Sequence, residues 1–169
     1  MPGIQKYGQR TLGIIALIGL IASLIAHLAT FTNTDVTSVV PWVFALHFGV
    51  FVVFGPFVFI ARRKNGGSSN WRDLSAGLPR WVGLVLMGLA AYAALNFILM
   101  LRANSGLSPQ LENGHYGLFN HGRLVSEITQ AQYATARNHD LRGFSGHWMI
   151  FYSVAAAYFL FWKKPSVTA

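Results

Sequence analysis

The chain has 169 residues, of which 53% are hydrophobic and only 11% are charged, and its formal net charge is +8. Soluble domains carry about 25% charged residues, so this composition excludes an ordinary soluble domain and indicates an integral membrane protein. The absence of cysteine excludes disulfides, thiolate metal sites and thiol nucleophiles.

Four apolar runs are long enough to cross a hydrocarbon core of about 30 Å as helices. They lie at about residues 11–31, 41–60, 81–101 and 143–162. None of them alternates as a membrane strand does, so the sequence predicts an all-α membrane protein with a four-transmembrane-helix bundle. Pro56 lies inside the second run and removes a backbone hydrogen bond, so we expect a kink there.

Basic residues are concentrated in three parts of the chain: before the first run (Lys6, Arg10), between the second and third (Arg62, Arg63, Lys64, Arg72, Arg80) and after the fourth (Lys163, Lys164). The loop between the first two runs contains Asp35 and no Lys or Arg. The positive-inside rule therefore predicts that both termini and the middle loop are cytoplasmic. The basic excess indicates topology, with the anionic lipid bilayer as partner and no nucleic acid.

The long segment between the third and fourth runs, residues 102–142, is predicted to lie outside the membrane. Its pattern favours two short strands, His115–Phe119 and Arg123–Ile128, joined by a tight turn at residues 120–122. An isolated hairpin is marginally stable in water. We therefore expect this hairpin to rest on the helix ends, a neighbouring subunit or the lipid surface.

A helix is predicted to follow the hairpin. Thr129 and Gln132 have the spacing of a capping box, so the helix should begin near Gln130 and continue towards the fourth run. Together the hairpin and this helix form a small outer module. Its candidate interaction residues are His115, His121, Glu127, His139 and Asp140, of which His121 also suits the left-handed backbone of the turn.

Each of the four predicted membrane helices places one polar side chain about 6–10 Å below the outer membrane boundary. In chain order these residues are His27, His47, Asn96 and His147, and Tyr92 lies one turn below Asn96. Ala16, Gly19 and Ser23 share a helix face with His27, as small residues do at a packed helix interface. This pattern predicts that the polar residues point into the bundle at one level.

The histidine layer has several possible uses. Two facing imidazoles would ligate a haem b, and His27, His47 and His147 together would hold a Zn or Cu ion with one position open. Hydrogen bonding of a quinone head group would require no metal. On a purely structural interpretation, each imidazole hydrogen-bonds a neighbouring helix and no cavity separates them.

No catalytic motif stands out in the sequence. A triad would have to be assembled from Ser145, His147 and Asp140 without an oxyanion hole, and there is no phosphate loop or dinucleotide fingerprint. An enzyme is therefore disfavoured.

The block NGHYGLFNHGRLVSEITQAQY, followed by RGFSGHWMIFY, resembles small bacterial four-span integral membrane proteins for which we know no activity. The resemblance covers the outer loop and the fourth run, and it implies a bacterial inner-membrane protein with a shared outer-loop design. The preferred interpretation is an accessory or interaction protein that uses its outer module to recognise another membrane protein or a second copy of itself. The alternative is a haem- or metal-binding membrane redox protein that uses the histidine layer.

Overall fold

The computed structural model describes residues 2–32, 34–64 and 75–163, with the side chains of residues 2–6 excepted. Its helices are α1 (Pro2–Ala29), α2 (Val36–Val39), α3 (Ala45–Lys64), α4 (Arg80–Ala103) and α5 (Gln130–Phe161), and its strands are β1 (Ser108–Glu112), β2 (His115–Asn120) and β3 (Arg123–Glu127). Helices α1, α3, α4 and α5 are long and apolar enough to cross a membrane, which confirms the four predicted runs. Arg72 and Lys164 of the predicted topology signal lie outside the described residues.

Helix α5 is the centre of the bundle. It packs most extensively on α1, then on α4 and α3, and α1 also packs on α3. In the most apolar stretch of α5, 56% of the residues are buried, against 17% in α4. The outer faces of α1, α3 and α4 carry exposed Leu, Ile, Val and Phe side chains, as helices do where they meet lipid.

Small residues let the helices approach α5 closely. The aromatic ring of Tyr152 in α5 lies against Gly19 of α1, where a Cβ would overlap the ring. The Tyr152 hydroxyl lies against Gly49 of α3 and donates a hydrogen bond to the Leu46 carbonyl oxygen at 2.8 Å. One tyrosine therefore sets the spacing of three helices. The predicted small-residue face of α1 is buried, with Ala16 and Ser23 fully inaccessible.

The strands form a three-stranded antiparallel sheet in the order β1-β2-β3. The predicted hairpin is confirmed as β2 and β3, but β1 was not predicted. Asn113 and Gly114 join β1 to β2, and His121 and Gly122 join β2 to β3; all four residues have positive φ between 49° and 83°. Both connections are therefore two-residue turns of the type that Asn-Gly favours.

Helix α5 begins at Gln130 as predicted. The Gln132 amide donates to Thr129 Oγ1 at 3.2 Å, and the Thr129 amide donates to Gln132 Oε1 at 2.8 Å, which completes the capping box. The helix then continues without interruption for 32 residues. The helix predicted to continue towards the fourth apolar run therefore includes that run, and the two form one element.

Helix α3 also differs from its predicted bounds. Residues 41–44 form turns after α2, and the helix begins at Ala45 and continues on both sides of Pro56. Helix α2 was not predicted; Asp35 caps it by accepting hydrogen bonds from the Thr37 and Ser38 amides. We call the end of the bundle that carries the sheet, where α1 and α4 end and α3 begins, the sheet end.

Candidate functional site

His27 lies in the last turn of α1, at the sheet end, and is 2% exposed. Its Nδ1 is 2.8 Å from Ser145 Oγ of α5, and its Nε2 is 2.6 Å from Tyr92 Oη of α4. The inward orientation predicted for His27 is what the structure shows. The imidazole links three helices, because each ring nitrogen contacts a different neighbour.

The partners of His27 define the direction of these hydrogen bonds. Ser145 Oγ donates to the Arg142 carbonyl oxygen at 3.2 Å, so its oxygen is left to accept a proton from Nδ1–H of the histidine. Nε2 then accepts from the Tyr92 hydroxyl. A neutral His27 with its proton on Nδ1 therefore fits both of its hydrogen bonds, to Ser145 and to Tyr92. In this state neither ring nitrogen has a free lone pair for a metal or haem iron.

His147 and His47 do not join His27. The His147 Nδ1 donates to the Gly143 carbonyl oxygen at 2.8 Å, within α5, and its ring packs edge-on against Phe97 of α4. His47 is exposed, and its Nδ1 accepts a hydrogen bond from Trp148 Nε1 at 3.0 Å. Each of the three imidazoles therefore has its own hydrogen-bond partner.

The structure does not bring the predicted metal ligands together. Within residues 2–32, 34–64 and 75–163 there is no group of three His, Cys, Asp or Glu side chains that could hold a metal ion. Asn96 is buried, and its amide donates to the Tyr92 carbonyl oxygen at 3.0 Å, within α4. Of the five residues predicted as a cofactor layer, only His27 and Tyr92 join their side chains by a hydrogen bond among the described residues.

A second polar network joins α5 to the loop between α1 and α2. Asn138, which is 3% exposed, donates to the carbonyl oxygens of Thr32 and Thr34 at 3.3 and 2.8 Å, and its Oδ1 accepts from the Val36 amide at 3.2 Å. One side chain thus satisfies three backbone groups of the loop. Asn138 fixes the path of the chain as it leaves α1.

Arg137 reinforces the same loop. Its Nε is 3.7 Å from Asp35 Oδ2, and its guanidinium also donates to Thr37 Oγ1 and to Tyr133 Oη at 2.7 and 2.8 Å. Burial alone would raise the pKa of Asp35, but hydrogen bonds from Ser38 and Thr37, with the charge of Arg137, outweigh it. The pKa of this carboxyl therefore lies below its ordinary value.

Arg142 has a different environment. Its Nε donates to Thr30 Oγ1 at 3.0 Å, its Nη2 donates to the Thr30 carbonyl oxygen at 2.6 Å, and its guanidinium lies 3.9 Å from the Phe31 ring centre. The nearby Asp140 carboxylate accepts a hydrogen bond from Asn104 Nδ2 at 2.8 Å. In the described part of the chain, no carboxylate lies within 4.0 Å of Arg142.

The predicted interaction residues fall into two groups. On the sheet, the His115 imidazole is 4.0 Å from the Glu127 carboxylate in an exposed pair. His121 takes the positive φ predicted for the turn. On α5, Asp140 faces α4, and His139 lines a groove beside it. His139 also lines a second groove together with Leu118 of β2 and Ile128, so it lies close to the sheet.

Sequence reasoning missed the residues that organise the sheet end. Arg137, Asn138, Arg142 and Ser145 follow one another at spacings of one, four and three residues, which places polar groups on one side of a continuous helix. The continuous helix brings these four side chains to the α1–α2 loop and the end of α1.

Comparisons of this chain with family models, with curated proteins and with solved structures found no match. The fold itself defines a class: a bundle of four helices of membrane-spanning length with a small three-stranded sheet at one end.

Proposed function

We propose that this chain is a bacterial inner-membrane accessory protein, with both termini in the cytoplasm, whose sheet end recognises another membrane protein. Its charge distribution supports this orientation. Arg62, Arg63, Lys64 and Arg80 lie at the end of the bundle opposite the sheet, where the positive-inside rule expects them.

The observation that supports this proposal most directly is the exposure of strand β3. It is an edge strand, and all five of its residues are exposed. At its centre Leu124 is 44% exposed and Val125 is 55% exposed, between the charged residues Arg123 and Glu127. Proteins rarely leave an edge strand with exposed apolar residues uncovered, because its free backbone groups pair readily with another strand. Addition of a partner strand to such an edge is a common mode of recognition.

The sheet is held in place before any partner binds. The Ile128 amide donates to the Tyr116 carbonyl oxygen at 3.0 Å, and the Tyr116 ring packs against the Tyr133 ring of α5 with centres 5.0 Å apart. Phe119 of β2 is buried. A recognition surface that is already ordered avoids the entropy cost of ordering a loop on binding.

The histidine layer gives the redox alternative no support, since both ring nitrogens of His27 are already bonded. An absorption spectrum with metal analysis of the purified chain tests this. We expect neither a Soret band nor a stoichiometric metal, and either observation would favour the redox function.

Site-specific photocrosslinking in cells tests the proposed recognition edge. A photoreactive residue at Val125 should give one discrete product with another membrane protein, whereas the same residue at Gln110, exposed on the opposite edge strand β1, should not. Leu124→Lys should abolish the Val125 product without lowering the amount of folded protein.

Three results would contradict the proposal. Identical products from Val125 and Gln110 would show that the crosslinks are not specific to β3. The absence of any product at Val125 would show that no partner binds at β3. A product of twice the mass of the chain would show that the edge joins two copies of this protein.

A further inference from the structure

We propose that a groove between α4 and the sheet end of α1 holds the phosphate of an anionic phospholipid, with an acyl chain lying along α4. The groove has a volume of about 530 Å³ and is bounded by Phe31 just after α1, by the last three turns of α4 and by the facing side of α5. Its basic residues are Arg102, His139 and Arg142, and no carboxylate among the described residues lines it. This site does not depend on what the sheet binds.

Arg142 presents a fixed positive charge to the groove. Thr30 accepts hydrogen bonds from its Nε and Nη2, while its Nη1 makes no hydrogen bond within the described part of the chain. Arg102 has no ion pair among these residues either. Two arginines without a counter-ion attract an anion, and the fork of guanidinium donors suits the oxygens of a phosphate.

The walls of the groove continue into an apolar surface. Arg102 lies in the last turn of α4, and Leu99 and Leu95 precede it by three and seven residues on the same face. Both leucines line the groove and are about half exposed. The charges therefore lie where α4 leaves its apolar stretch and the leucines lie below them. This is the division between head group and chain that a phospholipid has, whereas a free phosphate would use only the charges.

Lipid retention measured by native mass spectrometry tests this site. The full chain would be released from vesicles of equal parts dioleoylphosphatidylglycerol and dioleoylphosphatidylcholine, and the wild type should retain phosphatidylglycerol preferentially. Arg102→Gln is the first variant, because the Arg102 side chain makes no hydrogen bond or ion pair with the described residues that folding would lose. Its retention of phosphatidylglycerol should fall about five-fold, as expected for one arginine near an anionic head group.

Arg123→Gln is the matched control, since it makes the same charge change on exposed strand β3, outside the groove, and should leave retention unchanged. Leu99→Glu, which places a carboxylate on the acyl-chain path, should also lower retention. Equal retention in Arg102→Gln and Arg123→Gln would overturn the proposal. Release of the lipid by excess inorganic phosphate would overturn the choice of a phospholipid.

Discussion

The contact of Tyr152 with Gly49 allows the effect of the Tyr152 hydroxyl on stability to be tested separately from that of its ring. A Cβ at Gly49 would overlap Tyr152 Oη but would lie 3.6 Å from ring carbon Cζ, an ordinary van der Waals distance. At Gly19 the overlap is with the ring itself. Removal of the hydroxyl should therefore relieve Gly49→Ala and leave Gly19→Ala unrelieved.

The magnitudes follow from these contacts. Gly49→Ala should lower the free energy of unfolding by about 1–3 kcal/mol, the usual cost of overpacking. Tyr152→Phe should cost about 0.5–1.5 kcal/mol, because it removes the hydrogen bond to the Leu46 carbonyl. The double variant should cost about as much as Tyr152→Phe alone, so the coupling energy should offset most of the Gly49→Ala cost.

The assay is reversible unfolding in mixed micelles, followed by circular dichroism as the fraction of denaturing detergent is raised. Gly146→Ala is the control for the intrinsic gain of replacing a helical glycine, since its Cβ would lie 3.6 Å or more from Ala93 and Asn96 of α4. It should be neutral or stabilising by up to about 1 kcal/mol. If Gly49→Ala costs the same with Tyr and with Phe at position 152, the hydroxyl does not set the α3–α5 spacing.

Three further predictions concern the sheet end. Because the pKa of Asp35 is lowered on folding, this carboxyl stabilises the fold above its unfolded pKa, and that stabilisation is lost as the pH falls through its folded pKa. Asp35→Asn should remove this acid-induced loss of stability in thermal unfolding curves. An unchanged pH dependence in the variant would contradict the role given to Asp35. Asn138→Leu should lower the free energy of unfolding by about 2 kcal/mol or more, because it leaves buried backbone groups unpaired. It should also speed hydrogen exchange at the Val36 amide, and an unchanged exchange rate would show that Asn138 does not hold the α1–α2 loop. Reporter fusions after residues 66 and 169 should be cytoplasmic and one near Ser108 periplasmic, and a cytoplasmic signal at Ser108 would reverse the proposed orientation.

The helices and the β2–β3 hairpin could be predicted because each depends on a local signal. Apolar runs of sufficient length show the four helices, and Thr129 and Gln132 fixed the start of α5 to the residue. The signal for β1 was also local, since Asn113-Gly114 is a strong hairpin turn, but the strand Ser108–Glu112 is largely polar and exposed. Its side chains gave no alternation to detect.

The candidate site could be predicted only in part, because helix packing decides which residues meet. The small residues on its helix face correctly placed His27 inward, whereas depth along the sequence grouped His47 and His147 with it. Depth does not determine rotation about the helix axis, however, and that rotation leaves His47 exposed and bonds His147 to its own helix. One partner of His27, Tyr92, belonged to the predicted layer, whereas the other, Ser145, did not.

The continuity of α5 links the proposed recognition edge to the bundle. The sheet rests on the first turns of α5 through Tyr133, and further along the same helix Asn138, Ser145 and Tyr152 contact the α1–α2 loop, His27 and α3 in turn. A rigid helix transmits a tilt at one end to the other. A partner that paired with β3 and moved the sheet would therefore act on the contacts of α5 with the α1–α2 loop, α1 and α3, so binding at the sheet should also change the packing of the bundle.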